Sequence, residues 1–315
     1  MRWRGMTCAL LFAGVLVFGI AGVIAYCSMR TEKTIERLGR IVEELGGKTP
    51  VSVFAGGTKE ELPSPVRRYF TYVFRGEPRN VSWVRVEMAG QFRRPRTETF
   101  SRTTASQILA AGTPAFVFDA TTPVVPGIWA RAYDSFAEGR MEMKAKIASA
   151  FTVVDERETE ALNRTSLRRW LLESPLCPPA LLPGGPVRWE PIDDHHARAV
   201  VAGYGLEASL VATFRDDGSL ESFSAEEDGD LETPYHGSGE HVSRSDYRLV
   251  EGMMIPMAFS ISRVSGGRSY PFWTGCVVSI VFGDCAGEKR RASLPDLSPE
   301  EGCSDSSGRI RQEER

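Results

Sequence analysis

Three carboxylates stand next to aromatic residues and are the residues of this sequence best suited to acid–base chemistry. Asp119 ends an apolar run, Asp134 directly follows a tyrosine, and Glu173 comes three residues after Trp170. If the three faced one cavity, burial would raise their pKa values, as in the active sites of hydrolases. The alternative is that each carboxylate caps a turn or pairs with a nearby arginine such as Arg131. We favour this structural role, because no nucleophile–base pair occurs at a recognisable spacing.

Four tryptophans are the second set of candidates, this time for ligand binding. Their indole rings could line an apolar concavity, with the N–H groups fixing the orientation of a ligand. Ordinary core packing is the alternative role, and we expect it for most of them. The residues concerned are Trp129, Trp170, Trp189 and Trp273.

Histidines and cysteines give no metal motif. His195 and His196 are adjacent, so on an extended chain they point in opposite directions and do not share a metal ion. Cysteine pairs of the Cys-x-x-Cys type are absent from the sequence. Cys276 and Cys285 flank the last predicted strand, and about 30 Å of straight strand would separate them. We therefore expect buried thiols at these two positions, and neither a metal nor a cofactor.

An uncharged segment at the N-terminus predicts a membrane anchor. No charged residue occurs from Met6 to Cys27, which as a helix spans about 30 Å, the thickness of the hydrocarbon core of a bilayer. Arg2 and Arg4 precede the segment, and Tyr26 stands where an interfacial aromatic residue is expected. A cleaved signal peptide is the alternative, but the apolar run is too long for one. We expect a single-pass inner-membrane protein with its main domain on the periplasmic side.

Composition and charge exclude one class of function and divide the chain into four parts. The formal net charge of −3 among 315 residues argues against a nucleic-acid-binding protein. We predict an anchor over residues 1–28, a juxtamembrane helix and linker over 29–61, and a β-rich domain over 62–285. Residues 286–315 are charged and poor in apolar side chains, which is typical of a disordered tail.

Alternation with a period of two residues dominates from Trp83 to Phe282 and predicts about a dozen strands. Two helices interrupt or precede them, one starting at Ser64 and one ending at Glu173. The predicted fold class is mainly β, with one N-terminal transmembrane helix. Its core is a large curved antiparallel sheet or half-barrel with one or two packed helices.

Eight sequence blocks between Leu62 and Phe282 resemble an uncharacterised bacterial membrane-associated family that is known only as a domain of unknown function. They are LPSPVRRYF, FVFDA, YDSFAEGRMEMKAKI, RRWLLESPLCPPALLP, VRWEPIDD, TFRDDGSL, SDYRLVEGMMIP and YPFWTG. This resemblance implies no activity. The strand count and the single internal helix are also similar to the half-barrels of lipoprotein carriers (LolA-like proteins), an analogy of architecture alone.

Three functions are compatible with these features. The first is an envelope protein that holds lipid or another apolar ligand in the concave sheet. The second is a non-catalytic interaction module in envelope assembly or sensing. The third is a carboxylate-dependent hydrolase, which requires Asp119, Asp134 and Glu173 to converge in one pocket.

Overall fold

The computed structural model describes residues 2–49, 61–76, 80–93, 97–229, 239–284 and 289–291. Three α-helices, fourteen strands and two short 3-10 helices (Ser174–Leu176 and Pro178–Leu181) make up this part of the chain. The helices are α1 (Arg2–Lys48), α2 (Ser64–Val73) and α3 (Glu160–Glu173). The strands are β1 (Trp83–Arg93), β2 (Phe100–Ala110), β3 (Phe116–Val125), β4 (Ile128–Ala137), β5 (Arg140–Ile147), β6 (Phe151–Arg157), β7 (Val187–Pro191), β8 (His196–Gly203), β9 (Leu206–Phe214), β10 (Leu220–Ser224), β11 (His241–Val250), β12 (Met253–Ser265), β13 (Arg268–Gly283) and β14 (Lys289–Arg291).

All strands belong to one antiparallel sheet that is built from two meanders. Its strand order is β6-β5-β4-β3-β2-β1-β13-β12-β11-β10-β9-β8-β7, with β14 added to β13. The pairing of β1 with β13 joins the first half, β1–β6, to the second half, β7–β13. Because β6 and β7 are the two edges of this order, the sheet is open.

Helix α3 demonstrates that the sheet is strongly curved. This helix packs against β8 and β9 in the second half and also against β4 and β5 in the first half. In a flat sheet β5 and β9 would be about 43 Å apart at the usual strand spacing, whereas a helix of 14 residues is only about 21 Å long. The sheet therefore bends around α3, and we call the side that holds α3 the inner face.

Helix α1 is one uninterrupted helix of 47 residues. Its second half packs diagonally across β1–β4 on the opposite side of the sheet, the outer face. Ile35, Leu38 and Val42 recur at helical spacing and form an apolar cluster with Ile108 and Val117 of the sheet. The predicted juxtamembrane helix is thus a continuation of the apolar segment that is packed onto the β-rich domain.

The predicted fold class is confirmed, and most predicted strands lie within a few residues of their observed bounds. Three details differ. Strand β6 was not predicted, and Gly46-Gly47 do not end α1, which continues to Lys48. The expectation of a free thiol at Cys276 is wrong, because Cys276 is disulfide-bonded, whereas Cys177 is a buried free thiol. Of the predicted tail, only Lys289–Arg291 is among the described residues, and it forms β14.

Candidate functional site

A row of four alanines crosses the inner face of the first half, one alanine on each strand from β2 to β5. The strand register pairs each alanine with the next. On each of these strands, the residue two positions from the alanine also faces inward and has a larger side chain. The alanine row is therefore a shallow trough beside a row of larger side chains. Three of the four are partly exposed even though they lie inside the curve of the sheet. The alanine row is Ala105, Ala120, Ala132 and Ala145.

A strip of polar side chains borders the alanine row on the side of α3. Gln107, Asp134 and Glu156 lie on β2, β4 and β6, in one register line that also contains two apolar residues. Both side-chain atoms of Gln107 that can form hydrogen bonds, Oδ1 of Asp134 and Oε2 of Glu156 are buried without a partner in the described part of the chain. Unsatisfied buried groups are costly. The polar strip therefore carries donor and acceptor atoms that no described residue satisfies.

Buried ion pairs hold α3 against both halves of the sheet. Arg169 pairs with Asp134 of β4, while Glu173 lies 2.6 Å from Arg244 of β11. Arg169 also lies with its guanidinium carbon 4.6 Å from the centre of the Phe118 ring, a cation–π contact on the inner face. Since these groups are fully enclosed, the position of α3 between the two halves is tightly specified.

The carboxyl groups of the strip are easier to protonate than in water. Burial raises the pKa of Asp134 above its ordinary value, although the adjacent Arg169 acts in the opposite direction. Burial also raises the pKa of Glu156, and the negative charge of Asp134 adds to this effect. Gln107 supplies both an amide donor and an amide acceptor, whatever the charge of these carboxyl groups.

The three predicted carboxylates do not meet. Asp119 lies on the outer face, where Nη1 of Arg131 is 2.5 Å from its carboxylate and Arg131 in turn bonds Glu32 of α1. Asp134 lies on the inner face, and Glu173 stands at the end of α3, where it pairs with β11. Each carboxylate has an arginine partner, which is the arrangement predicted as the alternative to a catalytic role. The sheet separates Asp119 from the other two, so the geometry gives no support to a hydrolase site made of all three.

The four tryptophans occupy different places. The Trp170 indole donates to the carbonyl of Ala110 over 2.9 Å, and the Trp189 indole donates to the carbonyl of Leu181 over 3.0 Å. Trp273 packs against Phe259 with ring centres 5.4 Å apart. These three belong to the apolar core of the inner side. Trp129 shares the outer face with Arg131 and therefore does not join them.

A second depression lies at the opposite end of β4, next to the start of α3. It has a volume of about 320 Å³ and is lined among others by Thr159, Asn163 and Tyr204. The hydroxyl of Thr159 caps α3 by accepting from the N–H of Leu162, and Asn163 accepts from the N–H of Met141 over 2.9 Å. These polar groups serve the local fold, so the depression is a weaker candidate than the trough.

A metal centre is not found in the described ranges, where no three histidine, cysteine, aspartate or glutamate side chains gather around one point. His196 instead bonds Asp193 through Nδ1 over 2.8 Å within the β7–β8 turn. This is the polar turn expected from the sequence.

Residues 60–282 match DUF6920, a family of unknown function. The chain belongs to this family. The DUF6920 region contains the whole inner face and starts after α1, so the apolar segment lies outside it. No curated protein matches the sequence. A crystal structure of a Nitrosomonas europaea protein, provisionally assigned as AttH, shares 10% identity over 80% of this chain and 75% of its own, with a TM-score of 0.12. That similarity is too low to support an argument about fold or function.

In the trough of the DUF6920 region, sequence reasoning found Asp134 but missed the alanine row and the other two members of the polar strip. One signal for the row was present. Ala130 and Ala132 follow each other at strand spacing in β4, where inward-facing positions normally carry large side chains. Gln107 and Glu156 gave no such signal, because each becomes part of the strip only through the register of β2 and β6.

Proposed function

We propose that this protein is a membrane-anchored bacterial envelope protein that binds lipid or another amphiphile on the inner face of its sheet. The chain of the ligand would lie along the alanine row, and its polar end would bond the polar strip. One observation carries this proposal: partly exposed alanines lie inside the curve of the sheet, next to buried polar atoms of Gln107 and Asp134 that lack a partner among the described residues. Amphiphile sites combine these two properties, an apolar surface and a few convergent polar groups.

The anchor rests on the apolar half of α1. This helix is long and apolar enough to cross a membrane. Its large apolar side chains are exposed, among them Leu11, Phe12, Val15 and Phe18. Such a surface is unfavourable in water, at about 25 cal/mol for each Å², and favourable in lipid.

A periplasmic position of the β-rich domain is the accompanying proposal. The disulfide at Cys276 supports it, because structural disulfides persist in oxidising compartments and are rare in the cytosol. The lipoprotein-carrier resemblance remains an analogy of architecture, but a curved sheet around an inner helix is the arrangement that it led us to expect.

The proposal is tested by filling the trough. The full chain and its Ala132→Trp variant are purified from membranes in the same detergent, and the lipids that remain bound are extracted and quantified by mass spectrometry. We expect one lipid class to be lost from Ala132→Trp, because the indole would occupy the space of the acyl chain.

Thr104→Trp is the matched control. Thr104 is exposed and lies next to Ala105 on β2, so its side chain points to the outer face. This variant should retain the lipids of the wild-type chain, including those that surround α1. Identical lipid profiles for all three proteins would overturn the proposal, and a protein partner recovered by crosslinking would then favour the interaction module.

A further inference from the structure

Two neighbouring hairpin tips at one end of the sheet carry no charge. The β3–β4 tip is uncharged from Ala120 to Ala130, and the β5–β6 tip is uncharged from Ile147 to Val154. The β4–β5 turn at the opposite end contains Glu138 and an arginine instead. Solvent-facing hairpin turns normally carry polar residues.

The two tips expose large apolar side chains, which we call the apolar rim. Their exposed fractions are high for residues of this kind: Val125 52%, Ile128 42%, Phe151 71% and Val153 60%. The tips are joined, since the N–H of Ala148 donates to the carbonyl of Trp129 over 2.8 Å. The exposed apolar residues of the rim therefore lie on two adjacent tips, and clustered apolar exposure of this kind marks surfaces that bind protein or membrane.

Helix α1 leads directly to this patch. Two of its ion pairs show its direction: Glu43 bonds Arg85 over 2.6 Å, and Glu32 bonds Arg131 over 2.9 Å. On β4, the register places Ser135 level with Arg85, so Arg131 lies four residues closer to the β3–β4 tip. The N-terminal, apolar half of α1 therefore leaves the sheet at the end where the rim lies.

The rim and the end of the apolar segment lie at about the same distance from the Arg131–Glu32 ion pair, measured towards the β3–β4 tip. From Arg131 to Ile128 the strand advances about 10 Å towards the tip. From Glu32 to Cys27, the last residue of the uncharged segment, α1 advances about 8 Å in the same general direction. The Arg30 guanidinium lies 5.9 Å from the centre of the Tyr26 ring, and both residue types favour the membrane interface.

We propose that the apolar rim inserts into the bilayer that α1 crosses, so that the alanine row opens towards lipid. The inference rests on the anchor of the proposed function. It follows from the continuity of α1, because an unbroken helix packed on the outer face holds the rim close to the membrane surface. A ligand could then pass between the bilayer and the trough without crossing water, whereas α3 covers the inner face beyond the polar strip.

The test measures contact between the rim and lipid in the full chain. The chain is reconstituted into phosphatidylethanolamine–phosphatidylglycerol vesicles that contain lipids brominated near the headgroup. A tryptophan is added by Phe151→Trp, and its emission is obtained by subtracting that of the wild-type chain. We expect the brominated lipid to remove most of the added emission.

Leu249→Trp is the control. Leu249 is also a well-exposed apolar residue, in β11, and is paired with Met254 near the end of the sheet where α1 finishes. The emission of the tryptophan added at this position should not be quenched by the brominated lipid. Equal quenching of both tryptophans, or of neither, in a chain that stays in the vesicles overturns the rim inference and leaves the anchor intact. Release of the wild-type chain by a carbonate wash overturns the anchor and the rim together.

A second variant separates the rim from the trough. Phe151→Asp combined with Val153→Asp places two charges on exposed positions, so it should leave the fold intact while withdrawing the rim from the bilayer. We expect it to lose the lipid that Ala132→Trp loses. If the double variant keeps that lipid while Ala132→Trp does not, lipid binding stands and the role of the rim is refuted.

Discussion

The two halves of the sheet use the same meander for different purposes. In the second half, β7–β13, the inner face is filled: Trp189 stacks on Phe223 with ring centres 6.4 Å apart, and Tyr69 of α2 packs on Phe214 at 5.6 Å. In the first half, β1–β6, the inward alanines Ala132 and Ala145 are partly exposed, whereas the inward alanines Ala199 and Ala212 of the second half are fully buried. Because α3 packs mainly on β8 and β9, the difference teaches that cover by this helix, and not strand topology, decides whether inward alanines become core.

The largest expected effect comes from mutations that reverse this contrast, by emptying the filled half or filling the open half. Phe223→Ala removes a fully buried ring from the filled half and should lower the free energy of unfolding by about 3–5 kcal/mol. Ala132→Leu adds volume to the open half and should change it by less than about 1 kcal/mol, because a trough accepts side chains that a packed core rejects. Urea unfolding of the full chain in detergent measures both. A large cost for Ala132→Leu would show that the first half is packed as well, and the comparison would fail.

A slightly smaller effect is expected at the ion pair that fixes α3 to the filled half. Arg244→Met leaves the buried carboxylate of Glu173 without its partner and should cost about 3 kcal/mol in unfolding free energy. The double variant Glu173→Gln with Arg244→Met should regain much of this loss, since no buried charge remains. Unfolding curves of the two single variants and the double variant give the coupling energy between Arg244 and Glu173. If the free-energy losses of the two single variants add up in the double variant, the ion pair does not hold α3 in place.

The smallest effect is a change in pH dependence in the open half. Because the pKa of Glu156 is raised in the folded state, the folded protein holds the proton more tightly than the unfolded chain. This contribution to stability is complete below the ordinary carboxyl pKa and is lost as the pH rises through the raised value. The melting temperature of the wild-type protein should therefore fall as the pH rises through the range just above the ordinary carboxyl pKa. In Glu156→Gln this fall should be smaller, because the variant has no carboxyl group at this position. An unchanged slope would mean that burial and Asp134 do not act on this carboxyl.

Much of the fold was predictable because it depends on local patterns. Strand β9 was predicted with its observed bounds. Helix α2 was predicted from Ser64 as its cap and the proline that follows; the helix is present, but Ser64 is its first residue and Pro63 holds the cap position without a side-chain hydrogen bond. Strand β6 was missed for a physical reason. A register irregularity between Ala145 and Lys146 of β5 leaves Val153 without a partner on the facing strand, so the apolar pair Val153-Val154 breaks the two-residue alternation that marks a strand.

The candidate site was much less predictable than the fold. Asp119 and Asp134 both stood beside apolar residues and looked equivalent. In the structure Asp119 is level with Tyr133, and Asp134 is level with Phe118. The two carboxylates therefore lie one residue apart in register and on opposite faces, since successive residues of a strand alternate. No local signal reveals this, because register is set by pairing between strands that are distant in sequence.

The sequence by itself determined that an uncharged helical segment precedes a β-rich domain, because helix and strand periodicities and the absence of charge are properties of short stretches of chain. Only the tertiary structure decided that the alanines of four strands form one row and that Gln107 and Glu156 join Asp134 in a strip. It also decided that the N-terminal half of α1 leaves the sheet at the end where the apolar rim lies. These features depend on register and on the curvature of the sheet around α3, which arise from contacts between residues that are far apart along the chain.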